Sequence, residues 1–544
     1  MSESDSFDAV IIGSGFGGSM VARRFVESGW RVAMIERGDW VQRGEHNWGP
    51  RGSLMLTDHY SMDAPFLVHQ TEGTGESGQY ECVGGPSVFY GGVSMRFRTG
   101  DFHPQTEIIG ESKAVWPIEY DDLEPYYGRA ERILDVSGDA GTDPTEPPRR
   151  DPYPQPVPKL SETSRRIGAA AEALGLSPFR LPLAINYRNR PGRTTCIACT
   201  TCDTFACAIT AKNDLATVVI PGLVAKGMKL FTGTMAARLE HHSGRIESVE
   251  CIDRETGRRF DLRAGLFVLS AGALSSPHLL LASGLEVANP AGHAIGRYLM
   301  RHCNAIAYGI FPGIPDPVEE FHKQLGIHDF YNGHPSIDRP RGKLGTMQQI
   351  QTPPASLVEA MVPKPFGKIL ARGVKHLTGL LIIAEDQPLA QNRVRLDTGR
   401  SDAFGMPAMV VESRYSDRDL AARSALVRQA KRILRKAGAP VSYVHKIKTF
   451  SHAVGSVRMG DDPDSAPLDR YCAFRGVDNL FVVDGSFMPT SAGINPSLTI
   501  AANALRVADH IVGLPGQENW IPGRARDDDA LGQARDDNAP DRMT

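Results

Sequence analysis

No stretch of about 18 consecutive apolar residues occurs in the 544-residue chain, so no membrane-spanning helix is expected. Charge of one sign is missing as well. Lys and Arg number 60 against 63 Asp and Glu, and the formal net charge of −3 gives no basic field for nucleic acid. Cysteine is scarce: eight in so large a chain make no disulfide framework, and four of them crowd into one segment that needs its own reading. Only Met1 to Ser6 precede the first apolar run. They are too few and too acidic for a secretory leader, and a cytoplasmic location is the expectation. What is present is the composition of a soluble globular protein, 41% hydrophobic and 23% charged, long enough for about three domain-sized units.

The most informative stretch comes first. Phe7, Val10, Ile11 and Ile12 form a short apolar run suited to a buried parallel strand. Gly13-Ser14-Gly15-Phe16-Gly17-Gly18 follows and opens a helix-like segment ending near Ser28-Gly29. Gly13, Gly15 and Gly18 fill the three GxGxxG places: one for the tight turn, one for close backbone approach to a pyrophosphate, one for helix packing on the strand. Arg31 to Ile35 reads as the second strand, and Glu36 stands at its end, where a carboxylate can accept from both ribose hydroxyls of an adenosine. Strand, glycine turn, helix and terminal acid together predict a site for an ADP-containing dinucleotide.

From Gly38 to Gly78 the chain is polar, without a clear period, and reads as a surface excursion. Glu81 to Arg96 then carries two glycine pairs, Gly84-Gly85 and Gly91-Gly92, of the kind that let backbone amides approach a flat or charged ligand. Together with the opening fingerprint and Trp116-Pro117-Ile118-Glu119-Tyr120, this segment resembles the glucose-methanol-choline (GMC) flavoprotein oxidoreductases. The resemblance implies bound FAD, contacted by Gly13, Gly15, Phe16, Gly17, Gly18 and Glu36 at one end, and by Gly84, Gly85, Ser87 and Tyr90 beneath the flavin. Tyr90 stands where the family usually has Asn. Phe89 stands where members with a covalent flavin carry His, so the implied FAD is non-covalent.

Cys196, Cys199, Cys202 and Cys207 stand in CxxCxxCxxxxC spacing ahead of Ala211-Lys212-Asn213. Three explanations stay open. An iron-sulfur cluster is one, although the run is one residue longer than the bacterial ferredoxin run and lacks its closing proline. A structural zinc site is another, although zinc usually draws on two separated cysteine pairs. A plain cysteine-rich loop is the third. Similar runs occur in the branch of the GMC family that includes bacterial cholesterol oxidases and related dehydrogenases.

Further along, Leu266 to Ala273 and the following Leu274 to Leu285 match the family's second signature, with Glu286 in place of a usual Gly. His302 reads as structural. Leu380 to Glu385 reads as a strand whose terminal Glu385 is either a second base at the flavin or a surface carboxylate. Leu357 to Leu381 mixes apolar and basic residues, and an ordinary amphipathic helix is preferred over a mobile lid touching lipid. Asp417 to Ala437 is a long amphipathic helix.

Two short motifs carry the chemistry: Ser451-His452-Ala453-Val454-Gly455 and Gly493-Ile494-Asn495-Pro496-Ser497. The resemblance brings His452 and Asn495 together before the flavin, His452 as the base for the alcohol proton and Asn495 as the amide that steadies the substrate oxygen. It also sets Asp484, Gly485 and Pro496 against FAD, and the backbone of Ala237 against its adenine. The implied fold is α/β, α+β overall: a Rossmann-like FAD-binding domain of residues 1–100, 208–310 and 450–515, and a mainly antiparallel-sheet substrate domain of 101–207 and 311–449. Residues 516–544, charged and nearly repetitive, read as a disordered tail. The implied activity is oxidation of a CH–OH group of a sterol, sugar or other alcohol by hydride transfer to flavin N5, with electrons passed to oxygen or another acceptor. An FAD-containing lyase of the same fold and an iron-sulfur-assisted electron-transfer dehydrogenase are the alternatives.

Overall fold

The computed structural model describes residues 7–70 and 73–514. The expected tail at 516–544 lies outside them. Among the described residues the chain builds a mixed α/β structure on three sheets.

The first sheet has a parallel core. Phe7–Ile12 pairs in parallel with Val32–Ile35 on one side and with the second half of Arg259–Leu269 on the other. Lys229–Phe231 and Leu480–Val482 extend it at the two flanks, also in parallel. Ala9, Val10 and Ile11 are fully buried, which is why this run is apolar on both faces. The first half of Arg259–Leu269 instead continues an antiparallel ladder with Arg245–Asp253 and Thr234–His242. The helices Phe16–Glu27 and Ser497–Gly513, from opposite ends of the chain, pack against each other beside this sheet.

The second sheet is antiparallel, with Leu377–Ala384 between Ala305–Ile310 and Gly345–Ile350. Alternation divides its two faces. Ala307, Met347, Leu380, Ile382 and Ala384 face a core shared with Asp417–Lys436. That helix starts where Ser416 and Asp419 form a capping box, and it buries Ala422, Leu426, Ala430, Ile433 and Leu434 at helical spacing. The opposite face carries Ile306, Ile350, Leu381 and Ile383. Gln348 stands on this face too, and it looks toward the loop that bears Asn495.

Two expectations are corrected. The stretch after Gly38 is not all surface excursion, because Tyr60–Gln70 and Gly73–Tyr80 form a hairpin that joins Pro407–Ser413 and Arg393–Ser401 in a third sheet. The segment after Leu357 is not one amphipathic helix with its apolar face inward. It forms two helices, Ala355–Met361 and Phe366–Val374, and Phe366, Ile369 and Leu370 are exposed while Gly367, Ala371 and Val374 turn inward. The small side chains let this helix sit close, since a Cβ on Gly367 would meet the Glu359 and Val362 carbonyl oxygens at 2.8 Å.

Candidate active site

The glycine fingerprint sits where the first strand meets the helix Phe16–Glu27. Gly13 has φ +102°, and a Cβ there would stand 2.2 Å from the Ser270 carbonyl oxygen, so only glycine fits. Gly17 and Gly18 are equally hemmed in, by the carbonyl oxygens of Val483 at 2.4 Å and Gly13 at 2.1 Å. Gly15 differs. Nothing lies within 4 Å of the place where its Cβ would be. Gly85 comes close on one side, since a Cβ on it would meet Gly15 Cα at 3.5 Å. The place where a Gly15 side chain would point, at the helix N-terminus, is therefore an open cradle, as close backbone approach to a pyrophosphate needs.

Glu36 ties the cradle together. Its carboxylate accepts from the Ser14 hydroxyl, from Ser14 N at 3.2 Å and from Gly38 N at 2.9 Å, while Ser14 Oγ accepts from Gly84 N at 2.9 Å. Burial pushes the Glu36 carboxyl above its usual range against the pull of these bonds. Ser87 braces the same turn, donating to the Gly84 carbonyl at 2.7 Å. Tyr90 donates its hydroxyl to the Asn213 carbonyl at 3.1 Å and sets its ring edge-on to Phe16, 5.6 Å between centroids. Ala237 stands at a bulge: Ala236 pairs with Cys251 and Arg238 with Glu250, which leaves Ala237 out of the ladder. Asp484 is committed to its surroundings, accepting from Gly272 N, Ser486 N and the hydroxyls of Ser276 and Ser486. A Cβ on Gly485 would meet the Ala453 carbonyl oxygen at 3.1 Å, so this turn lies directly against the segment that carries His452. Pro496 caps the helix Ser497–Gly513. The open Gly15 cradle and the bulge at Ala237 fit FAD.

His452 and Asn495 meet, with Asn495 Nδ2 3.4 Å from His452 Nε2. Behind His452 stands a residue whose role the sequence did not reveal. His302 Nδ1 lies 3.0 Å from His452 Nδ1, and His302 Nε2 lies 3.1 and 3.0 Å from the carbonyl oxygens of Ser491 and Ala492. Carbonyls only accept, so His302 Nε2 carries the proton. In the neutral ring His302 Nδ1 is then an acceptor, and His452 Nδ1 donates to it. That leaves His452 Nε2 with a lone pair, pointing at Asn495. Burial holds the His452 imidazolium well below the ordinary histidine range, and the nearby His302 and cationic Lys323 act in the same direction.

Buried acids hold this pair in place. Asp386 accepts from Arg301 N and from the Ser491 hydroxyl, both at 2.9 Å, and so joins the two segments that carry His302 and its carbonyl partners. Tyr331 accepts from Gly493 N at 3.1 Å and donates to Asp101. Glu385 is neither a surface carboxylate nor a free base: it is fully buried and ion-paired with Lys343 at 2.7 Å, and Lys343 also reaches Asp101 at 2.5 Å.

The cysteine segment is not a metal cage. Among the described residues no group of three or more His, Cys, Asp or Glu side chains is arranged to hold a metal ion. Burial raises the Cys202 thiol well above its usual range and the Cys196 thiol to about 11. The loop folds instead around Lys212, fully buried, whose ammonium donates to the Cys202 and Phe205 carbonyls at 2.8 and 2.6 Å. Asp203 from this loop pairs with Lys323 at 2.8 Å.

The family pattern described as GMC oxidoreductase matches residues 78–304 and 388–504. The chain is 33% identical to 6'''-hydroxyparomomycin C oxidase of Streptomyces lividus, over 93% of this chain and 92% of that protein. It is 29% identical to 2-methyl-1,2-propanediol dehydrogenase of Mycolicibacterium austroafricanum, over 93% and 95%. Its fold matches the crystal structure of pyridoxine 4-oxidase from Mesorbium loti with a TM-score of 0.65 at 20% identity, covering 92% of this chain and 98% of that one. No helix among the described residues is long and apolar enough to cross a membrane. The chain belongs to the GMC oxidoreductases, FAD-dependent enzymes acting on alcohol groups.

Proposed function

We propose that the protein oxidises a CH–OH group of a small polar alcohol to a carbonyl, with His452 as the base and Asn495 as the group that steadies the oxygen. The observation that carries this reading is the meeting of His452 Nε2 with Asn495 Nδ2 at 3.4 Å, together with the contacts of His302, from which a lone pair on His452 Nε2 follows. An alcohol placed there donates its hydroxyl proton to His452 Nε2. Its oxygen accepts from Asn495 Nδ2 as negative charge grows on it. The depressed basicity of His452 keeps it neutral, and therefore able to take a proton, at pH 7. The chemistry FAD supplies when bound is acceptance of the hydride from the carbinol carbon. FAD is held at the Gly15 cradle, without a covalent bond because Phe89 offers no nucleophile. Relatives named for aminoglycoside and diol substrates support a hydroxyl-rich substrate over a steroid.

Anaerobic addition of aminoglycosides, diols, sugars and sterols to the holoenzyme tests this. Bleaching of the flavin band by a hydroxyl-rich alcohol is expected, and His452→Ala should slow it by about a hundredfold to ten-thousandfold. Equal bleaching rates in the two proteins would remove His452 from the reaction.

A further inference from the structure

The hydrogen-bond chain that fixes His452 does not stop at Asn495. Asn495 Nδ2 faces His452 Nε2, an acceptor, so its Oδ1 points the other way and takes a hydrogen bond from Gln348 Nε2 at 2.6 Å. Every polarity in the series follows from the two carbonyls that accept from His302: each link is a donor on one side and an acceptor on the other. At the far end Gln348 must turn its Oε1 outward from the pair. Gln348 is fully buried, and this Oε1 has no hydrogen-bond partner. A buried acceptor with nothing to accept from, one amide away from the catalytic pair, is an unfilled half of a hydrogen bond.

Gln348 stands at the middle of Gly345–Ile350, opposite Leu381. Around it on the same face are Ile306, Ile350, Leu381 and Ile383, none of which can donate, with Tyr308 packed against them and Thr346, whose hydroxyl donates to the Met347 carbonyl at 3.4 Å. None of these side chains donates to Gln348 Oε1, which leaves it open to a donor on a bound molecule.

We propose that Gln348 is a substrate-binding and positioning residue, and that the substrates are alcohols with a second hydrogen-bond donor near the reacting hydroxyl: diols and amino alcohols. The inference rests on the proposed CH–OH oxidation. The reacting hydroxyl donates to His452 Nε2, the second hydroxyl or amine donates to Gln348 Oε1, and Gln348 Nε2 keeps the Asn495 amide turned toward the reacting oxygen. No bond is made or broken at Gln348. Its two ends do separable work: Oε1 selects the substrate and Nε2 orients Asn495.

The test uses holoenzyme under anaerobic conditions and a matched pair of primary alcohols, 2-methyl-1,2-propanediol and 2,2-dimethyl-1-propanol, in which a methyl replaces the second hydroxyl. Flavin bleaching gives kcat and KM for each, and flavin content is measured for every variant. The wild type should prefer the diol by about a hundredfold or more in kcat/KM, since a site built to pair a hydroxyl rejects an analogue without it. Gln348→Leu should lose that preference at unchanged flavin content. Gln348→Glu, which keeps an acceptor but cannot donate to Asn495, should keep the preference in KM while kcat falls. Equal use of both alcohols by the wild type, or an undiminished preference in Gln348→Leu, overturns the inference and leaves alcohol oxidation standing. Loss of flavin from Gln348→Leu would assign Oε1 to the cofactor and overturn it as well. Bleaching by neither alcohol, nor by amino alcohols or sugars, would sink the underlying reading itself.

Discussion

At the scale of single residues, the proposed oxidation turns on where one proton sits. His302 receives His452 Nδ1–H only because the Ser491 and Ala492 carbonyls have claimed its other nitrogen. His302 is held in that duty by its own backbone: it has φ +60°, unusual for a side chain of its size, while Tyr415 donates to its carbonyl at 2.8 Å. Replacing His302 by Ala should lower kcat about ten- to a hundredfold, because His452 loses the partner that fixes its tautomer. A pH profile distinguishes this from general damage. In the wild type His452 is depressed, so kcat/KM should be level above the ordinary histidine value of about 6.5 and fall only below it. Burial is the main cause of that depression, and the water that the truncation admits relieves it, so in His302→Ala the acidic limb should move up toward neutrality. An unmoved limb would make His302 a packing residue. Nothing local in Arg301-His302-Cys303 announces any of this, because the partner lies 150 positions away. The meeting of His452 with Asn495 was legible, because each sits in its own short motif.

At the scale of elements, the helix Asp417–Lys436 shows a conflict between capping and burial. Asp419 completes the capping box, accepting from Ser416 N at 3.0 Å, and accepts from Gln387 N at 3.2 Å. Yet it is fully buried, close to Asp386, and its carboxyl is pushed up to about 7, mainly by burial. The unfolded chain releases this proton near the ordinary carboxylate value of about 3.9, while the folded chain holds it to about 7. Between these values the folded state binds more protons, so stability falls as pH rises and the loss is complete above about 7. Asp419→Asn keeps an acceptor for the cap and cannot ionise. Its melting temperature should therefore decline less than that of the wild type between pH 5 and pH 8, and parallel declines would remove Asp419 as the cause. The sequence showed this helix through its apolar spacing, as it showed the buried strand Phe7–Ile12. It hid the hairpin of Tyr60–Gln70 and Gly73–Tyr80, because the first strand carries a proline, the second is glycine-rich, and both are largely half-exposed or exposed and so present no clear alternation. It also misled over Phe366–Val374, where the inward stripe is Gly367, Ala371 and Val374 and the large apolar side chains face out.

At the scale of the whole molecule, the site is assembled from segments hundreds of residues apart, with Gly85 close to Gly15 and Val483 against Gly17, and the open space is the one beside Gly15. Ligand bound in that space stabilises the folded chain by mass action, about 2.7 kcal/mol when free FAD stands at a hundred times its dissociation constant. Stripping the flavin should lower the melting temperature, and adding FAD back should restore it. The glycines give a sharper version, because they are glycine for different reasons. Gly13 has a left-handed backbone and the Ser270 carbonyl where a Cβ would go, so Gly13→Ala should disrupt the fold with or without FAD. Gly15 has φ −68°, which alanine adopts freely, and open space where its Cβ would point. Without flavin, Gly15→Ala should be as stable as the wild type or more stable by about 0.4–1 kcal/mol, through its less flexible unfolded chain. With FAD added it should gain little, because the new methyl stands in the cradle. Calorimetry of the two proteins, stripped and refilled, separates the effects: a full FAD-dependent gain in Gly15→Ala would mean that the nucleotide does not lie against Gly15. A lowered stability of the stripped variant would mean that the space at Gly15 is needed by the fold itself.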